Sequence, residues 1–196
     1  RLYVPFGNFS SNMISDPVTL TLAETRADVI QAGINLDNGL SASAYLFNGD
    51  AEKIGKNNHI NNFGANIGYA MENMGLKLDT GLAYINNIAT SGGLVDLVAN
   101  NPTEATQDYV GGLSFHAVAT IGQFNLIGEY ITALDSFKRN ELTDVSNNEL
   151  KPRAWNLEAA YNLSLSGKDT TIALAYQQTK DMYFDAGNTD LFEKAW

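Results

Sequence analysis

GLKLDTGLAYI, residues 75 to 85, decides how this chain is read. Leu76, Leu78, Leu82 and Tyr84 are apolar and fall on alternate positions, while Lys77, Asp79, Gly81 and Ala83 occupy the positions between them. Successive side chains of a strand point to opposite faces, so the segment has one apolar face and one face carrying a lysine and an aspartate. A helix, with its period of 3.6, would scatter the same residues around its circumference. The segment is therefore expected to be a strand whose two faces meet different surroundings.

The same alternation recurs along the chain. Residues 62–72 set Phe63, Ala65, Ile67, Tyr69 and Met71 against Asn62, Gly64, Asn66, Gly68 and Ala70. Residues 24–36, 39–47, 108–120, 122–134, 153–165 and 169–178 read likewise. Most of these runs reach about 10 residues, the length a tilted strand needs to cross a bilayer; soluble strands usually stop near 5–6.

The connections alternate too. Short turns fall at Asp37-Asn38-Gly39, Asn73-Met74, Ile121-Gly122 and Ser166-Gly167-Lys168, rich in residues that tolerate tight hairpins. Long polar connections fall at 7–23, 48–61, 88–107, 135–152 and 180–190. Short turns at one end and long loops at the other are the pattern of an outer-membrane barrel. A soluble sandwich with Greek-key connections does not sort its loops this way.

Near the long-loop end, the apolar face of successive runs carries an aromatic residue: Phe63, Tyr84, Tyr109, Tyr130, Trp155 and Tyr176. Tyr and Trp favour the lipid headgroup level because one end of the ring system is apolar and the other polar. These six are expected to form a lipid-facing belt. Backbone polar groups cannot stay unpaired in hydrocarbon, so such strands must close on themselves. The expected fold is an all-β, antiparallel up-and-down transmembrane β-barrel, residues 1–196 forming a single segment with about eight full strands. Residues 1–6 and 191–196 read as partial strands, which makes the chain a piece of a larger barrel.

Composition agrees. The 196 residues include no cysteine, two histidines and a net charge of −10. There is no apolar run of the ~18 residues a spanning helix needs, no disulfide framework and no thiol chemistry. The acidic balance opposes a nucleic-acid partner, whose phosphates select Lys and Arg.

Catalytic chemistry is sparse. His116 lies two residues from Ser114 on one strand face, a poor geometry for a nucleophile and its base. His59 lies in a loop, two separated histidines make no zinc set, and Asp185, Asn188 and Asp190 do not meet the EF-hand spacing. No catalytic residue, metal or cofactor is assigned, and an enzyme is not expected. The wet face is more informative. Ser41, Ser43, Gly64, Asn66 and Gly68 are small or polar and are expected to leave room in the lumen. Arg26, Asp28, Lys77, Asp79, His116, Glu129 and Glu158 are the expected pore-lining residues, whose charges tune which solutes pass. Loop 7–23 places Met13, Ile14, Val18, Leu20 and Leu22 between polar residues and is expected to fold inward and narrow the pore. Its constriction candidates are Asp16, Pro17 and Thr19, with Glu24 just after it.

Three stretches carry a family resemblance: YVPFGNF at 3–9, ISDPVTLTLAETR at 14–26 and YLFNGD at 45–50. Pro5-Phe6-Gly7, Asp16-Pro17-Val18-Thr19, Glu24-Thr25-Arg26 and Phe47-Asn48-Gly49-Asp50 resemble the LbtU-type siderophore porin family of bacterial outer-membrane barrels. The resemblance implies a passive route for small hydrophilic solutes, with iron–siderophore complexes among them, in the outer membrane of a Gram-negative bacterium. It covers about 50 residues and carries over no ligand residues. The other readings compatible with the pattern are a general diffusion porin without siderophore selectivity, and a closed structural or adhesive barrel. The expected partners are outer-membrane lipid and a small-molecule solute; an oligomer is compatible, and no patch marks a subunit interface.

Overall fold

The structure is a computed structural model that describes residues 2–53, 60–99, 105–139, 141–142 and 148–182. Its strands are β1 (Leu2–Tyr3), β2 (Arg26–Ala27), β3 (Val29–Asn35), β4 (Leu40–Phe47), β5 (Glu52–Lys53), β6 (Asn62–Asn73), β7 (Leu76–Ile85), β8 (Ala105–Thr106), β9 (Gly112–Ile121), β10 (Phe124–Ala133), β11 (Arg153–Leu165) and β12 (Lys168–Lys180). Helix α1 spans Val18–Ala23, helix α2 spans Gly92–Ala99, and a 3-10 turn covers Ile88–Thr90.

Eight strands form one antiparallel sheet in the order β3-β4-β6-β7-β9-β10-β11-β12, each long strand pairing with the next one along the chain. The sheet is an up-and-down meander and is open, with β3 and β12 as its edges. The expected closure is thus not present among the described residues. The meander follows from tight turns. Met74-Gly75 and Ser166-Gly167 have positive φ at both residues, the type I′ pattern whose twist matches the flanking strands.

Register keeps the two faces separate across the sheet. On one face Ile34, Ala42, Ile67, Leu82, Phe115, Tyr130 and Trp155 lie directly opposite one another on successive strands. The next pair row on the other face runs Asn35, Ser41, Gly68, Gly81, His116, Glu129, Asn156, Gln177. Nothing described covers the apolar face: Leu174 is 77% exposed, Ile30 70% and Ile172 60%.

The core sits on the polar-row side of the sheet, at the long-loop end. Phe6, Leu22, Ile88 and Leu94 pack there against Phe47, Ile85 and Ile131. Both helices therefore lie within connections that read as polar loops in the sequence. The expected strand 24–36 is also shorter, because Arg26 and Ala27 pair with Tyr3 and Leu2 instead of with β4. The expected partial strand 1–6 is confined to Leu2–Tyr3; Val4 and Phe6 then enter the core. Residues 191–196 and the stretch 185–190 lie outside the described residues, as do His59 and Lys56.

Candidate functional site

The polar face is crossed by a strap, residues 7–23, that ends in α1. Two carboxylates on adjacent strands hold it. Glu129 of β10 accepts the Asn8 amide at 2.7 Å and the Phe9 amide at 3.2 Å on Oε1, and the Thr19 hydroxyl at 2.6 Å on Oε2. Glu158 of β11 accepts the Ser11 hydroxyl at 2.7 Å and the Asn12 amide at 2.6 Å. Asn156 also donates to Glu158, at 2.9 Å. Two amides finish the attachment: Asn125 Oδ1 accepts from the Asn12 side chain at 2.8 Å, and Gln177 Oε1 accepts the Val18 amide at 3.1 Å. The first N–H groups of a helix lack intrahelical partners, so Gln177 supplies one to α1 from a strand 159 residues away.

The helix forms where Pro17 fixes an extended N-cap at φ −69°. Val18, Thr19, Leu22 and Ala23 are its buried residues, and their spacing places them on one helical face. The strap therefore meets the sheet through both its backbone and an apolar edge. Among the constriction candidates, Pro17 and Thr19 are buried against the sheet, whereas Asp16 is exposed. Glu24 closes α1 and pairs with Arg26 at 2.5 Å.

The sequence-assigned pore-lining residues divide into three groups. Lys77, Asp79 and His116 face the polar side and remain accessible; Lys77 Nζ lies 3.1 Å from Glu72, and His116 Nε2 lies 3.6 Å from Asp79. Glu129 and Glu158 face the same side but are 3% and 4% exposed, so they anchor the strap instead of lining open water. Arg26 and Asp28 lie outside the strands of the eight-stranded sheet, although the Asp28 carbonyl still accepts from the Asn48 amide at 3.4 Å. Arg26 is exposed at the loop end, where its guanidinium bonds Tyr3 at 2.7 Å and is held above its usual pKa chiefly by the hydrogen bond to Glu24. Asp28 falls in the break between β2 and β3.

The small inward residues act in two ways: Ser41, Asn66 and Gly68 leave room and line a cleft, whereas Gly64 and Gly81 admit a neighbouring side chain. A Cβ on Gly64 would meet the Tyr45 ring at 2.3 Å, and one on Gly81 would meet His116 Cε1 at 2.6 Å. Tyr45 itself crosses the face to donate to the Tyr84 carbonyl at 3.0 Å. Sequence reasoning missed this inward tyrosine, although its place opposite Gly64 is a signal in the register.

Clefts open on this face as well. One of about 220 Å³ lies beneath the start of the strap, between Pro5, Gly7 and Asn8 and the sheet residues Ser41, Asn66, Asp79 and His116. Two more, each of about 360 Å³, lie toward the short turns: one is lined by Glu72, Lys77, Asp79, Val118 and Thr120, the other by Asn162, Ser164, Asp169 and Thr171. Ser114 is buried with its hydroxyl unpartnered among the described residues, so no serine–histidine hydrogen bond forms.

On the opposite face, Phe63 packs beside Tyr84 at 6.2 Å and Tyr130 beside Trp155 at 6.5 Å, measured between ring centroids. Tyr176 lies one pair deeper, opposite Leu157. Tyr109 precedes β9 and is half-buried, so it leaves the expected row; Leu113 is the residue opposite Tyr84. At the short-turn end a second aromatic pair, Phe124 and Tyr161, sits 4.9 Å apart. Sequence reasoning singled out only the loop-end row.

Comparison with known proteins gives relatives without an activity in their names. The chain is similar to a UPF0422 protein of Coxiella burnetii, 32% identical over 182 residues, which span 91% of this chain and 39% of the relative. It is also similar to UPF0422 proteins of Legionella pneumophila strains Philadelphia 1 and Lens, 26% and 25% identical over 197 residues, 92% of this chain and 36% of each relative. The chain thus spans less than two fifths of the length of these curated relatives. No family model matches it, and no solved structure matches it.

Proposed function

We propose that the eight-stranded sheet is one wall of an outer-membrane channel, with the apolar face in lipid and the strapped face lining a passage for small hydrophilic solutes. The observation that carries this reading is the sorting of faces. Seven consecutive strands present an apolar or aromatic residue in one pair row, while the next row on the opposite face is polar or glycine at all eight positions. On β11 the apolar positions run from Trp155 to Leu165, about 33 Å along the strand and about 25 Å along a barrel axis at the usual tilt. That is the height of a bilayer's hydrocarbon band.

Closure of the sheet is part of the same proposal. An uncovered apolar sheet with two free edges is an aggregation hazard in water, and relatives more than twice as long have residues to supply further strands. The strap is then the constriction. By its resemblance to siderophore porins, the channel counts iron chelates among its solutes.

One observation favours a second reading. Phe6, Leu22, Ile88 and Leu94 fill the loop end of the inward face, as they would in a barrel closed at its mouth whose loops serve as a structural or adhesive platform. Planar-bilayer recording of the full-length chain separates the two. Discrete conductance steps support the channel, and a membrane-inserted protein that never conducts supports the closed barrel. Recovery from the soluble fraction without detergent would remove both.

A further inference from the structure

We propose that the passage between the strap and the wall favours cations over anions, and that Asp79 sets this preference. The inference rests on the channel reading above and names the class of solute that the channel admits.

Asp79 is the charged residue common to the cleft beneath the strap and the neighbouring cleft across β6, β7 and β9. A solute moving along the wall from the strap toward the short turns passes it in either cleft. Its side chain is 57% exposed, and its charged neighbour is His116 at 3.6 Å, which carries a charge only when protonated. The one lysine on the route, Lys77, is already paired with Glu72 at 3.1 Å. The strap adds no positive charge, because Asp16 is the single ionisable residue in 7–23.

The wall beneath the strap has the same sign. The donors to Glu129 and Glu158 among the described residues are neutral: backbone amides, hydroxyls and the Asn156 side chain. Among the described residues, neither carboxylate has a lysine or arginine within ion-pair distance. Asn156, fully buried between them, turns its nitrogen to Glu158 and leaves Oδ1 without a donor. A cleft lined by one sign of charge and backed by low-dielectric protein focuses its field and concentrates counter-ions, and acidic side chains are the usual lining of cation-selective pores. The admitted class is therefore cationic, zwitterionic or neutral, and a ferric chelate with net negative charge is held back.

The test is the reversal potential of the full-length channel in a planar bilayer under a potassium chloride gradient. The expected potassium-to-chloride permeability ratio is above one. Asp79→Asn should lower it about tenfold, because one unit charge at about 6 Å in water favours a cation about threefold and disfavours an anion by the same factor. Lys77→Gln should raise it by freeing Glu72. A measurement that needs no variant is the salt dependence of the native channel, whose preference should weaken as screening increases. A conducting channel with a ratio at or below one, or one unchanged by Asp79→Asn, overturns the inference and leaves the channel reading standing. A membrane-inserted protein that never conducts overturns the channel reading and this inference with it.

Discussion

The Thr19 hydroxyl lies 2.6 Å from Glu129 Oε2, joining the first turn of α1 to the wall of the sheet 110 residues later in the chain. Glu129 also accepts the amides of Asn8 and Phe9, so one buried carboxylate fixes both ends of the strap. A hydrogen bond to a charged acceptor contributes about 1.5–3 kcal/mol, and removing the acceptor leaves buried donors unsatisfied. Glu129→Ala should therefore destabilise the strap by about 3 kcal/mol or more, and Thr19→Val by about 1–2 kcal/mol. Hydrogen exchange at the Asn8 and Phe9 amides reads the effect directly: both should lose protection in Glu129→Ala, and neither should in a control substitution at exposed Asp16.

The inward glycines make a second prediction. Gly81 sits where a methyl group would meet His116 Cε1 at 2.6 Å. Forcing an extra methyl into a packed site costs about 1–3 kcal/mol. Gly81→Ala should lower stability by that amount, and adding His116→Ala should recover most of it, since the severe contact is with that side chain and the Ile67 carbonyl lies farther off, at 3.2 Å. A denaturant series on the two single variants and the double variant measures the coupling. Additive losses would place His116 elsewhere.

The contrast between what the sequence encodes and what it hides is visible in these same residues. The strands and the phase of their faces are legible because alternation is local: each of Leu76, Leu78, Leu82 and Tyr84 declares its face through its neighbours two positions away. Glu129 and Glu158 are legible as inward for the same reason. Their burial is not, because it depends on Asn8, Ser11 and Thr19, more than 100 residues distant. Helix α1 is hidden by its own pattern. VTLTLA alternates like a strand, and only packing against the sheet makes Val18, Thr19, Leu22 and Ala23 one buried face. Arg26 and Asp28 share the even phase of Ile30, Ala32, Ile34 and Leu36, so one unbroken strand would have turned these charges to the apolar face; that conflict was the local sign of the break at Asp28, where the pairing partner changes.

The short turns should respond to residue type alone. Gly75 has φ +83° and nothing within 4 Å of where a Cβ would stand, and Met74 has φ +47°. Any loss at Gly75 is therefore backbone strain and not a clash. Gly75→Ala should cost about 1 kcal/mol, whereas Met74→Asn should be neutral or stabilising, since Asn-Gly is the favoured pair in this turn. Equilibrium unfolding of the two variants checks both signs.

At the loop end, Lys53 Nζ donates to Asp108 Oδ1 at 2.6 Å. That hydrogen bond first, and the lysine's charge second, hold the Asp108 carboxyl below its usual range. A carboxyl lowered in the folded state contributes stability above its unfolded pKa and loses it as pH falls through the folded one. The contact should therefore persist at neutral pH and open only in acid below the ordinary carboxylate range. Both groups are solvent-exposed, so the pair steadies the loops and adds little to the fold. In Lys53→Met the Asp108 titration should move upward, as followed by carboxyl NMR.

The apolar face gives the sharpest separation between lipid and water. Ala159 lies midway between Trp155 and Leu165 on the outward side of β11, and Leu165 lies at the short-turn end. Each is exposed. In water, an exposed substitution away from special features changes stability by about 0.5 kcal/mol at most, so Ala159→Arg and Leu165→Arg should both be nearly silent. In a bilayer, arginine on the lipid face costs about 2–4 kcal/mol near the midplane and about 0–1 near the interface. Ala159→Arg should then be strongly destabilising and Leu165→Arg nearly neutral, when the full-length chain is unfolded from phospholipid vesicles with denaturant. The gradient between the two sites matters more than either value, because a fault in local packing has no reason to follow depth. Equal small effects at both positions would mean that this face meets water or another protein surface, and the wall would have to be assigned to a soluble assembly.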